Sequence, residues 1–135
     1  MSSVHVRLRV GREHYAVPIE NVLEVAELGA LSPLPGAGGA VLGVRNLRGS
    51  VLPVFDLARV LAIAGDATAP RVVVAEHDGR LAGLAVDEVT DVVALEAEAE
   101  QAEAGHLSGA ILEDGRLVGI IDVERLFSSL AGQAA

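Results

Sequence analysis

Cysteine is absent from this 135-residue chain, so it carries no disulfide framework, thiol nucleophile or cysteine-ligated zinc or iron–sulfur centre. Lysine is absent as well, and the ten basic residues are all arginine. That excludes a phosphate loop that places a lysine on the phosphates, and any Schiff-base mechanism. The aromatics are Tyr15, Phe55 and Phe127 alone, almost nothing on which bases could stack, and a formal net charge of −9 likewise argues against nucleic acid as a partner. The longest stretch without a charge, residues 28–44, holds Pro33, Pro35 and five glycines and reads as loop, not membrane span. The segment from Met1 to Arg7 lacks the apolar core of a signal peptide, so a cytoplasmic protein with no direct membrane insertion is expected.

What is present is apolar: 51% of residues are hydrophobic and 21% charged, enough buriable surface for one folded domain over residues 1–135. The chain also repeats itself. At an offset of 66, Gly43, Gly49, Asp56 and Arg59 fall on Gly109, Gly115, Asp122 and Arg125, and the apolar positions between them match. Upstream the offset is 67, where Val17, Ile19, Val22, Glu24 and Val25 fall on Leu84, Val86, Val89, Asp91 and Val92. The repeat halves are approximately residues 4–65 and 71–132.

Each half reads as about five short strands and a helix. Residues 5–10 alternate in period two, a half-buried strand, whereas the counterpart at 71–75 is apolar throughout, as in a strand covered on both faces. Asp78-Gly79, Arg48-Gly49 and Asp114-Gly115 are hairpin turns. Asp56 and Asp122 are N-caps. After them Leu57, Val60, Leu61 and Ala64, then Val123, Leu126, Phe127 and Leu130, follow helical spacing, with Gly65 and Gly132 placed to end each helix. A unit of about 65 residues buries only about 60% of its unfolded surface, so the two are expected to share a core.

No motif specifies catalysis. His5, His14, His77 and His106 show no ligand spacing and read as surface or turn residues, not a metal site. Ser32, Ser50 and Ser108 lack a nucleophile-elbow setting, and residues 36–39 read as a glycine linker. The acidic run from Glu96 to Glu103 reads as a solvated connector, or more sharply as an acidic docking segment. Asn46-Leu47-Arg48-Gly49 differs from its counterpart Leu112-Glu113-Asp114-Gly115 in the sign of the turn charge, while Glu24 and Asp91 stay acidic in both halves. A Glu24–Arg48 ion pair is one expected consequence.

The segment from Asn46 to Leu57, with Gly49, Pro53 and Asp56 inside it, resembles the signature of CheW-like domains, the adaptors of bacterial chemotaxis arrays. Tyr15–Ile19, Val22–Val25, Pro33, Pro35, Gly43-Val44, Gly83–Val89 and Leu107-Ser108-Gly109 follow in the family's order, so the resemblance covers nearly the whole chain. It implies a mainly β fold of two SH3-like five-stranded barrels about a common core, each ending in a short α-helix. It also implies a non-enzymatic, cofactor-free scaffold that couples chemoreceptor tips to the regulatory domain of the histidine kinase CheA. On that resemblance the kinase-facing surface lies near Val22, Glu24, Val25 and Gly43, and the receptor-facing groove near Arg48, Val86 and Val89. Compared with the family, the stretch from Val93 to Leu107 is short and lacks prolines. Alternatives are a CheW-like adaptor of a non-flagellar pathway controlling twitching, development or transcription, and a small-molecule-binding barrel, which would need an enclosed cavity.

Overall fold

Glycine turns divide the apolar stretches into ten strands and two helices in a computed structural model that describes residues 2–63, 70–96 and 105–134. The first half supplies β1 (Ser2–Val10), β2 (Glu13–Pro18), a 3-10 turn (Ile19–Asn21), β3 (Val22–Glu27), β4 (Val41–Leu47), β5 (Ser50–Asp56) and α1 (Leu57–Val60). The second supplies β6 (Arg71–His77), β7 (Arg80–Val86), β8 (Glu88–Glu96), β9 (Leu107–Glu113), β10 (Arg116–Ile121) and α2 (Val123–Ala134). Most of the acidic run and the expected helix positions Ala64 and Gly65 lie outside the described residues.

The strands form two five-stranded sheets, sheet I in the order β3-β6-β7-β5-β4 and sheet II in the order β8-β1-β2-β10-β9. The mainly β, two-unit fold is therefore observed, but neither sheet is built from one sequence half. The opening hairpin of each half is lodged in the sheet that the last three strands of the other half complete. The seams are parallel, β5 on β7 and β10 on β2, while the remaining pairs are antiparallel.

Strand register carries the duplication residue by residue. Phe55 pairs with Leu84 just as Ile120 pairs with Ala16 one step along the equivalent seam, and Val25–Val73 in sheet I matches Val92–Val6 in sheet II. The bulges recur too: β3 shifts register between Val22 and Glu24 against β6, and β1 shifts between Arg7 and Leu8 against β8. Such shared irregularities are features of a frame rather than accidents of one strand.

Three apolar clusters hold the sheets. The shared core lies between them and includes Leu8, Val10 and Val17 of sheet II, Phe55, Val73, Leu84 and Val86 of sheet I, and Leu57, Leu126, Phe127 and Leu130 of the helices. Sheet I has a second face packed by Leu52, Val54, Val72, Val74 and Ala85, which explains why β6 is apolar throughout. The same face of sheet II is thinner, with Ala16, Leu95 and Val118 buried and Val93, Ile111 and Ile120 half-buried. Here His5 and Arg7 stand where sheet I has Val72 and Val74. His5 is buried, with Nδ1 3.0 Å from the Ser3 carbonyl, contrary to its expected surface placement, because β1 is covered there on both faces.

The helices depart from the expected lengths in opposite directions. α1 stops at Val60, and Ala62 takes a left-handed φ of 56° while Ile63 N donates to Ala58 O at 2.8 Å, which turns the chain out before Gly65. α2 continues through Gly132.

Candidate functional site

The β4–β5 hairpin is fixed by its turn. Arg48 and Gly49 both have positive φ, 50° and 90°, the conformation that matches the strand twist, and Asn46 Oδ1 accepts a 2.8 Å hydrogen bond from Gly49 N. Leu47 packs against the inner face of sheet I. That backbone projects Arg48 across to the opposite edge strand, where its Nη2 donates to Glu24 Oε2 at 2.7 Å. The expected ion pair is therefore present. The Arg48 side chain is 76% exposed and that of Glu24 28%, so most of the guanidinium remains available. Arg45, two strand positions before Leu47, donates to the Glu27 and Leu28 carbonyls at 2.9 and 3.3 Å. Two arginines of the β4–β5 hairpin thus reach across to the β3 edge and the residue after it.

On β3, alternation leaves Val22, Glu24 and Ala26 half-buried and exposes Leu23, Val25 and Glu27. Leu23 and Val25 are exposed apolar side chains of the same edge strand, on the face opposite Glu24, and Ile19 of the preceding turn is exposed as well. Ile19 and Leu23 fall in the family segments read from sequence but were not among the candidate binding residues, although the period-two pattern of Val22–Glu27 contains the signal for Leu23.

Four sequence candidates sit elsewhere than expected. Val86 is 0% exposed and belongs to the shared core, so it cannot touch a partner. Val89 and Val22 are half-buried against the same core. Gly43 is buried where the β3–β4 connection crosses β4: its φ is 150°, and a Cβ there would lie 2.6 Å from the Ser32 carbonyl, between the two hydrogen bonds joining Ser32 and Val44. Its part is to let two backbones cross.

The motif carboxylates cap helices. Asp56 accepts from Ala58 N at 3.1 Å and Asp122 from Arg125 N at 3.1 Å. Arg59 and Arg125 lie 3.4 and 3.7 Å from those same carboxylates and donate to the Gly39 and Leu107 carbonyls, so each half ties its helix start to the entry of its fourth strand.

An apolar groove of about 270 Å³ separates sheet I from α2, lined by Pro53, Phe55, Leu81, Ala82, Phe127 and Leu130 among others, with the Arg80 guanidinium 5.7 Å above the Phe127 ring. The repeat explains its presence. At the equivalent place in sheet II, Tyr15 and Gly119 replace Ala82 and Pro53, and the Tyr15 ring lies so close that a Cβ on Gly119 would meet it at 3.0 Å. A large ring against glycine fills in sheet II what alanine against proline leaves open in sheet I.

Burial, then Glu13, push the Tyr15 phenol above its usual pKa, whereas burial followed by Arg116, Arg7 and Arg9 hold His14 below its usual value against the opposing pull of Glu13. Asp91 is held below the carboxylate range chiefly by its hydrogen bond from Arg7, a two-pronged pair at 2.8 and 3.0 Å. Among the described residues no cluster of three histidines or carboxylates is arranged to hold a metal, and no helix is long and apolar enough to cross a membrane.

Residues 5–131 match the family model described as the CheW-like domain. A probable chemotaxis protein CheW of Rhizobium etli is 33% identical, covering 96% of this chain and 90% of that one. Protein FrzA of Myxococcus xanthus is 48% identical over 63 residues, 47% of this chain and 39% of its own. The crystal structure of the scaffolding protein TtCheW from Thermoanaerobacter tengcongensis superposes with a TM-score of 0.85 at 27% identity, over 94% of this chain and 88% of that one.

Proposed function

The chain belongs to the CheW-like domain family, and on that premise we propose that it is a non-enzymatic cytoplasmic adaptor coupling chemoreceptor tips to the regulatory domain of a CheA-type histidine kinase. The observation that carries the reading is the Glu24–Arg48 pair on an edge strand that also exposes Leu23 and Val25. Apolar side chains supply contact area for a partner, and a held charge fixes its register. Kinase contact is assigned to this β3 edge, with Val25 and Glu24 on the surface and Val22 and Gly43 supporting it from below. Receptor contact is assigned to exposed Arg48 and to the groove between sheet I and α2, whose apolar walls suit a helix face.

Arg48→Ala is expected to weaken receptor-dependent kinase activation in a reconstituted array while leaving the melting temperature nearly unchanged. Full coupling by that variant would remove Arg48 from the site, and failure of the purified protein to capture either the kinase or the receptor fragments of its own genome would overturn the adaptor reading. A second reading, an adaptor in a non-flagellar chemosensory pathway, is favoured by the local similarity to FrzA, a relative not named for chemotaxis. The genes beside this one separate the two. The small-molecule alternative would need an enclosed cavity, and the two clefts described, at Arg12 and at Phe127, both open to solvent.

A further inference from the structure

At one end of sheet II, β2 and β10 begin side by side, with His14 paired to Val118. The β1–β2 turn and the β9–β10 hairpin there wall a cleft of about 520 Å³ lined by Arg9, Arg12, Glu13, His14, Arg116 and Leu117. Three of ten arginines thus converge in a chain whose net charge is −9. Arg9 is partly committed, donating to the Gly11 carbonyl at 2.6 Å and to Glu88 at 3.4 Å. Arg12 makes no ion pair or side-chain hydrogen bond among the described residues, and the polar contact of Arg116 is His14 Nε2 at 3.2 Å. Glu13 is the one carboxylate among the lining residues, with Asp87 accepting from Gly11 N at 2.6 Å and Glu113 cross-strand from Arg116 at its border. Burial first, then Arg116, Arg7 and Arg9, hold the His14 ring toward its neutral form against the pull of Glu13.

The frame does not demand this charge. At the equivalent end of sheet I, Glu76, Asp78 and Gly79 stand in the places of Arg9, Gly11 and Arg12, and Ser50 stands in the place of Arg116. With Arg80 in the place of Glu13, these positions carry a net charge of −1 in sheet I and +2 in sheet II, while the adjoining hairpin turns carry the opposite contrast, Arg48 there and Asp114 here. Beside the cleft, Leu117 and its cross-strand partner Leu112 are 66% and 71% exposed, two large apolar side chains standing together on the hairpin.

We propose that this end of sheet II is a docking site for an acidic segment of a partner polypeptide, its carboxylates on Arg12 and Arg116 and an apolar side chain against Leu112 and Leu117. The cleft is far larger than an inorganic phosphate, Glu13 opposes a compact dianion, and the leucine pair has no use to either. Nucleic acid is disfavoured by the acidic remainder of the chain. The site lies on the opposite sheet from Glu24 and Arg48 and does not depend on the adaptor assignment.

The test is an amide NMR titration of the ¹⁵N-labelled protein with a synthetic peptide of alternating Glu and Leu. Shifts are expected at Gly11, Arg12, His14, Arg116 and Leu117, fading as salt shortens the screening length to about 8 Å at 0.15 M. A bound carboxylate should also raise the His14 pKa, read from its ring protons. The double variant Arg12→Glu with Arg116→Glu is expected to bind roughly tenfold more weakly or worse. The double variant Arg12→Gln with Arg116→Gln should fall between it and the parent, and Leu112→Ser with Leu117→Ser should weaken binding without abolishing its salt dependence. The proposal is overturned by any of three results: no shift at these amides up to about 1 mM peptide, undiminished binding by the double glutamate variant, or equal occupation by inorganic phosphate or an all-glutamate peptide.

Discussion

Sheets I and II share strand order, seams and bulges, yet differ in what fills and closes them. Sheet I buries Leu52, Val54, Val72 and Val74 on its inner face and joins its edges through Arg45 and Arg48. Sheet II has only Ala16, Leu95 and Val118 fully buried there, admits His5 and Arg7, and puts half-buried Ile111 where sheet I has Arg45. The acidic position common to both edges is also answered differently, Glu24 by a hairpin arginine and Asp91 by Arg7 on the adjacent strand. A duplicated backbone can therefore keep its hydrogen-bond frame while each copy is free to change inner volume and surface charge.

The largest expected effect separates the interiors. Leu52 and Val118 occupy equivalent positions and both are 0% exposed. Leu52→Ala should cost about 3–5 kcal/mol and Val118→Ala about 1–3 kcal/mol, because the latter removes less from a thinner layer. Urea denaturation checks both, and equal losses would erase the contrast between the two inner faces.

Next in size is a test of the crossing at β4. Gly43→Ala forces a Cβ to within 2.6 Å of the Ser32 carbonyl at a φ of 150°, and is expected to cost about 2–3 kcal/mol. Gly36 also has positive φ, 80°, but open space around it, so Gly36→Ala should cost only about 1 kcal/mol. Similar melting temperatures for the two would show that the crossing at β4 yields easily and is not part of the rigid frame.

Much of this was legible beforehand. Offsets of 66 and 67 reappear as strand register, the three Xaa-Gly turns formed, and the Glu24–Arg48 pair followed from charge at matched positions. The exchange of hairpins was not legible, since β5 meets the same local pattern whether it pairs with β2 or with β7. The chain changes sheets at the 3-10 turn after β2 and again at Asp87 after β7, two short links with no shared sequence signal. Val86 misled because apolar strand residues look alike whether they face a partner or a second sheet. His5 misled because polar alternation on β1 suggested one wet face where the sheet is covered. The groove required comparing Tyr15 with Ala82, a difference in size that hydropathy does not register.

A smaller effect should appear with acid. Because Asp91 is depressed in the folded state, its contribution is present above the unfolded carboxylate value of 3.8 and fades as pH falls through the lower folded value. Asp91→Asn should therefore lower stability slightly at neutral pH and leave it unchanged well below pH 3.8, with the exposed pair limiting the size of the change. A variant equally destabilised at both extremes would place the role of Asp91 in packing instead of in its charge.

The smallest stability change, and the most selective functional one, comes from exchanging the hairpin charges. Arg48→Asp gives sheet I the turn residue of sheet II and sets a carboxylate against Glu24, but with Arg48 76% exposed the loss should stay below about 1 kcal/mol. Receptor-dependent kinase coupling should nevertheless fall more than with Arg48→Ala, since a repulsive charge replaces an attractive one at the proposed contact. The converse change, Asp114→Arg, should alter neither stability nor coupling, because Asp91 is already engaged by both prongs of Arg7 and has little left to offer a second guanidinium. If Asp114→Arg disturbed coupling as strongly as Arg48→Asp, the two hairpins would be functionally equivalent, and the asymmetry between the sheets would lie in their interiors alone.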